Sequence, residues 1–157
     1  MEYLSFFVYG TLLPGQPNFY YWGDAIASQE TAVFSNGRLY DLGSYPMLIE
    51  APGESVIGAL ISIDPACYQS VLARLDQLEE YDPEQPEQSS YIRAQREVVL
   101  ENGRSQTAWV YIGQWHFQPG IPIIKNGNWV EHVAHKQTTV NQWWQTATKL
   151  HKSPDKR

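Results

Sequence analysis

Cysteine is nearly absent from this chain. Cys67 is the only one, so no intrachain disulfide can form, and a lone thiol suits a reducing compartment. With no acidic or histidine partner close in sequence, Cys67 reads as a small buried hydrophobe rather than a nucleophile. Basic charge is also scarce: 11 Lys and Arg stand against 17 Asp and Glu, for a net charge of -6. That composition lacks the basic footprint that nucleic-acid binding needs. The one basic cluster, Lys149, His151, Lys152, Lys156 and Arg157, reads as a solvated tail. No apolar run is long enough to cross a bilayer. The apolar stretch Tyr3 to Tyr9 has neither a basic leader nor a small-residue cleavage site, so the expectation is a cytoplasmic protein with no membrane partner.

Several chemistry-bearing motifs are missing too. There is no Gly-Lys-Ser/Thr phosphate loop and no dinucleotide fingerprint. His132 and His135 share a helical face, but no Cys or carboxylate partners stand at metal spacing; no metal and no cofactor are expected. His116 and His151 read as surface or packing residues.

The 157 residues suit one globular domain. Tyr3 to Tyr9 is aromatic and β-branched and ends at Gly10, which predicts a buried first strand running into a loop. Thr31 to Tyr40 predicts a second strand, broken at Asn36-Gly37 by a bulge or turn. Gly43-Ser44-Tyr45-Pro46 is a turn, with Tyr45-Pro46 a candidate cis bond. Ser55 to Ile63 is a further strand. Asp64 and Pro65 are an N-cap and first-turn pair, opening a helix expected to reach about Glu80. Tyr91 to Leu100 and Gln106 to Ile112 form a hairpin around Glu101 to Arg104. Trp115 to Asn128 is irregular and extended. A last helix spans about Trp129 to Leu150, its tryptophans Trp143 and Trp144 packing on the rest or forming a partner patch. The sum is an α+β chain of mostly antiparallel strands with a central helix and an added C-terminal helix.

The central helix carries one anomaly. Tyr68, Val71, Leu72, Leu75 and Leu78 form an apolar stripe. Glu79, four residues after Leu75, projects into that stripe, whereas Glu80 is rotated by about 100° and points away. Asp76 lies on the flank. A carboxylate among leucines is expensive if unpaired. It is a buried ion pair, a helix end that has reached solvent, or an acid–base group whose pKa burial has raised. The pattern leaves these open. A second feature is the loop that follows the first strand. Tyr9-Gly10-Thr11-Leu12 offers main-chain N–H groups at a sheet edge, where glycine allows close approach and successive N–H groups can cradle an anion.

Phe7-Val8-Tyr9-Gly10-Thr11-Leu12 followed by Gly15-Gln16-Pro17-Asn18 resembles the N-terminal signature of the γ-glutamylcyclotransferase-like superfamily, and especially its γ-glutamylamine cyclotransferase (AIG2-like) branch. Tyr45-Pro46, Gly58, Leu75-Asp76-x-x-Glu79, Tyr91-x-Arg93, Trp109-x-Tyr111 and Gly127-x-Trp129 follow in the same order. The likeness covers residues 3 to about 131. It departs from the branch at Leu13 and Pro14, where basic residues are common, and at Glu80, where a small residue is usual.

The resemblance implies a small mixed β-barrel over residues 1–131, with a helical extension and basic tail over 132–157. It implies that Glu79 is the acid–base residue, which the helix pattern singled out independently. Tyr9, Gly10, Thr11 and Leu12 would hold the glutamyl part of a substrate, with Tyr45, Tyr91 and Tyr111 as further substrate contacts. The implied reaction is attack of a γ-glutamyl α-amine on its own γ-carbonyl, releasing 5-oxoproline and an amine or amino acid. The only implied partner is that small γ-glutamyl molecule, for a monomer or weak homodimer. Two other readings stay open: a binding module for a γ-glutamyl or amino-acid-like ligand without turnover, and a same-fold enzyme acting on another acyl amine.

Overall fold

The computed structural model describes residues 3–114 and 120–137. Trp143, Trp144, His116, His151, the basic tail and the later part of the expected last helix lie outside the described residues.

The first strand, β1 (Ser5–Val8), is buried along its whole length. Its side chains alternate between two separate cores: Phe7 in one, Phe6 and Val8 in the other. This is the two-residue period of a strand covered on both faces. β1 runs antiparallel to β3 (Pro46–Ile63), Phe6 facing Ile61, and parallel to β5 (Ser105–Gly113), Phe6 facing Trp109. β4 (Tyr91–Leu100) forms the expected hairpin with β5. β2 (Ile26–Asp41) pairs with β4 and again with β3. The order β3-β1-β5-β4-β2, closed by the β2–β3 pairing, is a five-stranded mixed barrel. A short β6 (Ile123–Ile124) adds to β2 inside the stretch expected to be irregular.

Both long strands exceed the sequence expectation. β2 begins at Ile26 rather than Thr31, and β3 at Pro46 rather than Ser55. Register shifts between Ile26 and Ser28 and between Ser35 and Gly37 let the pair bend without ending. Asn36 takes a positive φ of 63° at the second shift, where it alone stands against residues 51–54 of β3, so Asn36-Gly37 is an irregularity inside a continuous strand and not a turn. The hairpin turn lies at residues 42–45. Gly43 at φ 103° carries it, and its N–H donates to Asp41 Oδ1 at 2.7 Å. The Tyr45–Pro46 bond is trans, against the cis candidate; the turn is made by glycine geometry instead.

The inner core joins Phe7, Tyr9, Phe34, Leu48, Val98 and Val110, and Trp129 enters it from the C-terminal side. The outer core lies between the barrel wall and α1 (Tyr68–Leu78), through Phe6, Trp22, Ile61, Val71 and Leu75. A 3-10 turn, Pro65–Cys67, precedes α1, with Asp64 Oδ1 accepting from Ala66 N–H. α1 ends two residues short of the expected Glu80. Glu80 adopts φ 56°, its N–H bonds Gln77 O, and Tyr81 N–H bonds Asp76 O at 2.8 Å. These two bonds are a Schellman stop in which a glutamate occupies the position glycine usually takes. A further helix, α2, is described over 129–137. No helix among the described residues is long and apolar enough to cross a membrane.

Candidate active site

The end of β1, the turn before β3 and the end of α1 converge on one cavity of about 380 Å³. Tyr9, Gly10, Thr11, Leu12, Tyr45, Glu79, Tyr91 and Tyr111 all line it. The structure therefore brings together every site residue expected from the sequence.

The loop after β1 is built to stay rigid while leaving main-chain groups free. Leu12 and Leu13 are buried in the outer core. Trp22 Nε1 donates to Leu12 O at 2.9 Å, and Asn18 ties both its N–H and its side-chain amide to Thr11, each at 2.9 Å. No hydrogen bond within the described residues uses the N–H groups of Gly10, Thr11 or Leu12. Three consecutive donors without partners on a cavity wall suit an anion or a polarised carbonyl. Gly10 is required by packing: a Cβ there would sit 2.5 Å from Pro46 Cγ. Leu13, one of the departures from the resemblance, faces the core, so it is not an outer substrate contact.

Glu79 caps the C-terminus of α1, its N–H still bonded to Leu75 O at 2.9 Å. Its side chain lines the cavity and has no hydrogen-bond partner among the described residues. Protein surroundings strip most of its hydration. Burial, and then the charge of Glu80, push its carboxyl up to about 7. The ion pair that could have explained a carboxylate on this helix belongs to its neighbour instead. Asp76 accepts from Arg93 Nε at 2.8 Å and Nη2 at 3.2 Å, and from Tyr111 Oη at 2.7 Å. Arg93 lies 4.3 Å over the Trp109 ring. Its charge is thus held by Asp76 and an aromatic face.

The three buried tyrosines have fixed hydroxyls. Tyr9 Oη donates to Tyr111 O at 2.6 Å, Tyr91 Oη to Pro46 O at 3.0 Å, and Tyr111 Oη to Asp76. Burial raises all three pKa values, and the nearby Glu79 charge raises them further. They stay neutral and offer the cavity rings and hydroxyl oxygens, their protons being already committed. Tyr45 differs: it is half exposed at the rim.

Sequence reasoning placed Asp76 on the flank and used Arg93 only as a matching motif. The signal was present in the two-residue period of β4 and in cross-strand register. Tyr91 and Arg93 share a face, and Arg93 pairs with Tyr111, which puts a cation and a phenol opposite the helix end. Pro17, Asn18, Ser44 and Ser90 complete the lining. Their placement depends on loops meeting in space. Among the described residues no group of three or more His, Cys, Asp or Glu could hold a metal. His132 is engaged with Asp41, Nε2 to Oδ2 at 2.7 Å.

The sequence profile of the family described as "Gamma-glutamyl cyclotransferase, AIG2-like" matches residues 6–131. A Vibrio cholerae protein provisionally designated a γ-glutamylcyclotransferase is 33% identical over 133 residues, covering 85% of this chain and all of that protein. The crystal structure of an AIG2-like protein from Mus musculus superposes with a TM-score of 0.60 at 26% identity, over 78% of this chain and 86% of that one. An uncharacterized Pyrococcus horikoshii protein shares the fold, with a TM-score of 0.57 at 20% identity, over 86% and 97% of the two chains.

Proposed function

This chain belongs to the AIG2-like γ-glutamyl cyclotransferase family, and we propose that it releases 5-oxoproline from a γ-glutamyl amine or γ-glutamyl amino acid. The observation that carries this reading is the placement of Glu79. It is a carboxylate pushed up to about 7 that has no partner among the described residues, in one cavity with three residues whose main-chain N–H groups are likewise unbonded among them.

In the proposed reaction the N–H groups of Gly10, Thr11 and Leu12 grip the glutamyl part, and the tyrosine rings confine it in a folded conformer. Its α-amine then lies against its own γ-carbonyl. Ring closure is intramolecular, so selecting this conformer supplies much of the rate. Glu79 takes a proton from the attacking amine. The new C–N bond forms, the carbonyl oxygen gains negative charge, and the loop N–H groups face that charge. Collapse breaks the original C–N bond, and Glu79 returns its proton to the leaving nitrogen. The products are 5-oxoproline and a free amine, and Glu79 ends ionised as it began. A carboxyl titrating near neutrality is suited to both transfers. We place this activity in a cytoplasmic monomer or weak homodimer without nucleic-acid or membrane partners.

The test is direct. Purified protein is incubated with γ-glutamyl amines, γ-glutamyl dipeptides and glutathione, and 5-oxoproline is quantified. Release from at least one of them supports the reading. Binding of these compounds with no 5-oxoproline from any would replace it with that of a binding module.

A further inference from the structure

A second cavity, of about 430 Å³, adjoins the first and shares Pro17 and Ser44 with it as lining. Its other walls include Gln16 and four residues of α2: Trp129, Val133, Lys136 and Gln137. Val133 and Lys136 lie beyond residue 131, where the family match ends. These two residues of the wall therefore lie outside the matched family segment.

The chemistry of the wall is asymmetric. Trp129 is buried, and its indole N–H donates to Gln16 Oε1 at 3.1 Å, which fixes α2 against the site loop. Val133 packs on the inner core and supplies an apolar flank. Lys136 Nζ donates to Asp41 Oδ2 at 3.0 Å and approaches Gly43 O at 3.4 Å. The side chain of Asp41 is only 9% exposed, whereas that of Lys136 is 44% exposed. Asp41 accepts from Gly43 N–H as well and contacts His132. Burial alone would raise its pKa, but these bonds together hold it below the usual range. So the carboxylate acts as a buried anchor, and the charge presented to the cavity is the ammonium. Among the described residues none that lines this second cavity is acidic, in contrast to the first, which holds Glu79 and Glu80.

We propose that the second cavity receives the leaving group of the γ-glutamyl substrate, and that Lys136 selects leaving groups that carry a carboxylate. The favoured substrates are then γ-glutamyl amino acids rather than plain γ-glutamyl alkylamines. The inference rests on the cyclotransferase reading and adds the substrate class. An acyl bond held at Glu79 directs the departing side of the molecule out of the first cavity. Beyond the shared Pro17 and Ser44 boundary lie the apolar flank of Val133 and the ammonium of Lys136. A chain with an apolar stem and a terminal or α-carboxylate matches those two surfaces. A charge-assisted hydrogen bond at a half-exposed ammonium is worth about a tenfold preference.

The experiment compares matched pairs: γ-glutamyl derivatives of amino acids and of alkylamines with the same stem, over a series of stem lengths. Wild type, Lys136→Met and Lys136→Arg are assayed for 5-oxoproline release. Wild type is expected to favour the carboxylate-bearing member by about tenfold in kcat/KM. Lys136→Met is expected to abolish the preference through KM, with kcat for the alkylamine unchanged, and Lys136→Arg to restore it. An unchanged preference in Lys136→Met, or an equal loss on both members, would overturn the inference while leaving the cyclotransferase reading in place. Should no compound yield 5-oxoproline, that reading fails, and calorimetric binding of the same pairs decides the subsite. A Lys136-dependent affinity difference upholds it, and equal affinities overturn it.

Discussion

Asp76 and Glu79 sit one turn apart at the end of α1, yet among the described residues only Asp76 has a counter-ion. The Asp76–Arg93 pair closes at 2.8 Å with both side chains about nine-tenths buried. Glu79 meets the cavity without a partner among the described residues, its carboxyl pushed up to about 7. One helix end thus separates a structural carboxylate from a candidate chemical one, by supplying a cation to the first and withholding it from the second.

Glu79→Gln keeps the side-chain shape and removes the titrating group. Release of 5-oxoproline is expected to fall by about two to four orders of magnitude, the usual size of an acid–base contribution. Substrate affinity should change less, because the grip comes from main-chain N–H groups. The check is turnover and calorimetric affinity measured on the same preparation; an affinity loss as large as the turnover loss would assign Glu79 to binding.

Stability should depend on pH through the same residue. The folded state holds the Glu79 proton up to about 7, whereas its ordinary value is 4.5. Between those values the folded protein binds more protons than the unfolded chain, so stability falls as pH rises through the window. The full loss above pH 7 is on the order of 3 kcal/mol. Denaturant titrations at a series of pH values should show this slope in wild type and its absence in Glu79→Gln, which should be the more stable protein at alkaline pH.

Glu80 acts on Glu79 through charge and on α1 through its backbone. Removing its charge in Glu80→Gln lowers the Glu79 pKa, so the acidic limb of the pH–rate profile should move to lower pH with the maximal rate retained. Glu80→Gly, at φ 56°, relieves a left-handed conformation that costs a side-chain residue about 1 kcal/mol. Because Gly itself loses more backbone entropy, the expected gain in melting temperature is small and positive. A lower melting temperature would show that the Glu80 side chain contributes more than its backbone costs.

Asp76→Asn leaves the Arg93 guanidinium buried without a counter-charge and weakens the acceptor of the Tyr111 hydroxyl. Breaking one side of a buried pair costs about 3–5 kcal/mol, which should appear in the denaturation midpoint. Its effect on turnover at a temperature where the variant is folded should be smaller than that of Glu79→Gln.

Gly10→Ala places a methyl 2.5 Å from Pro46 Cγ. Pro46 also offers the carbonyl that accepts from Tyr91, so moving it disturbs two walls of the cavity. Overpacking of this kind costs about 1–3 kcal/mol, and KM should rise. A wild-type KM with unchanged stability would show that Pro46 yields freely.

The sequence by itself determined the local chemistry. An aromatic strand ending in Gly10, a capped helix with a carboxylate on its apolar face, and a hairpin around Gly103 all follow from periodicity and turn residues over short windows. The ordered motifs that resemble the cyclotransferase signature are likewise linear. What only the tertiary structure decided is where long-range pairing overrode local punctuation. β2 and β3 run through irregularities that read as breaks: Asn36 alone stands against residues 51–54 of β3, and cross-strand pairing resumes at Gly37 and Glu50. α1 stops at Leu78 because Glu80 turns left-handed, which its residue type does not foretell. The division of labour between Asp76 and Glu79 also came from the fold. Whether a buried carboxylate is neutralised or left to titrate depends on which cation a distant strand delivers, and Arg93 reaches one of them through barrel closure.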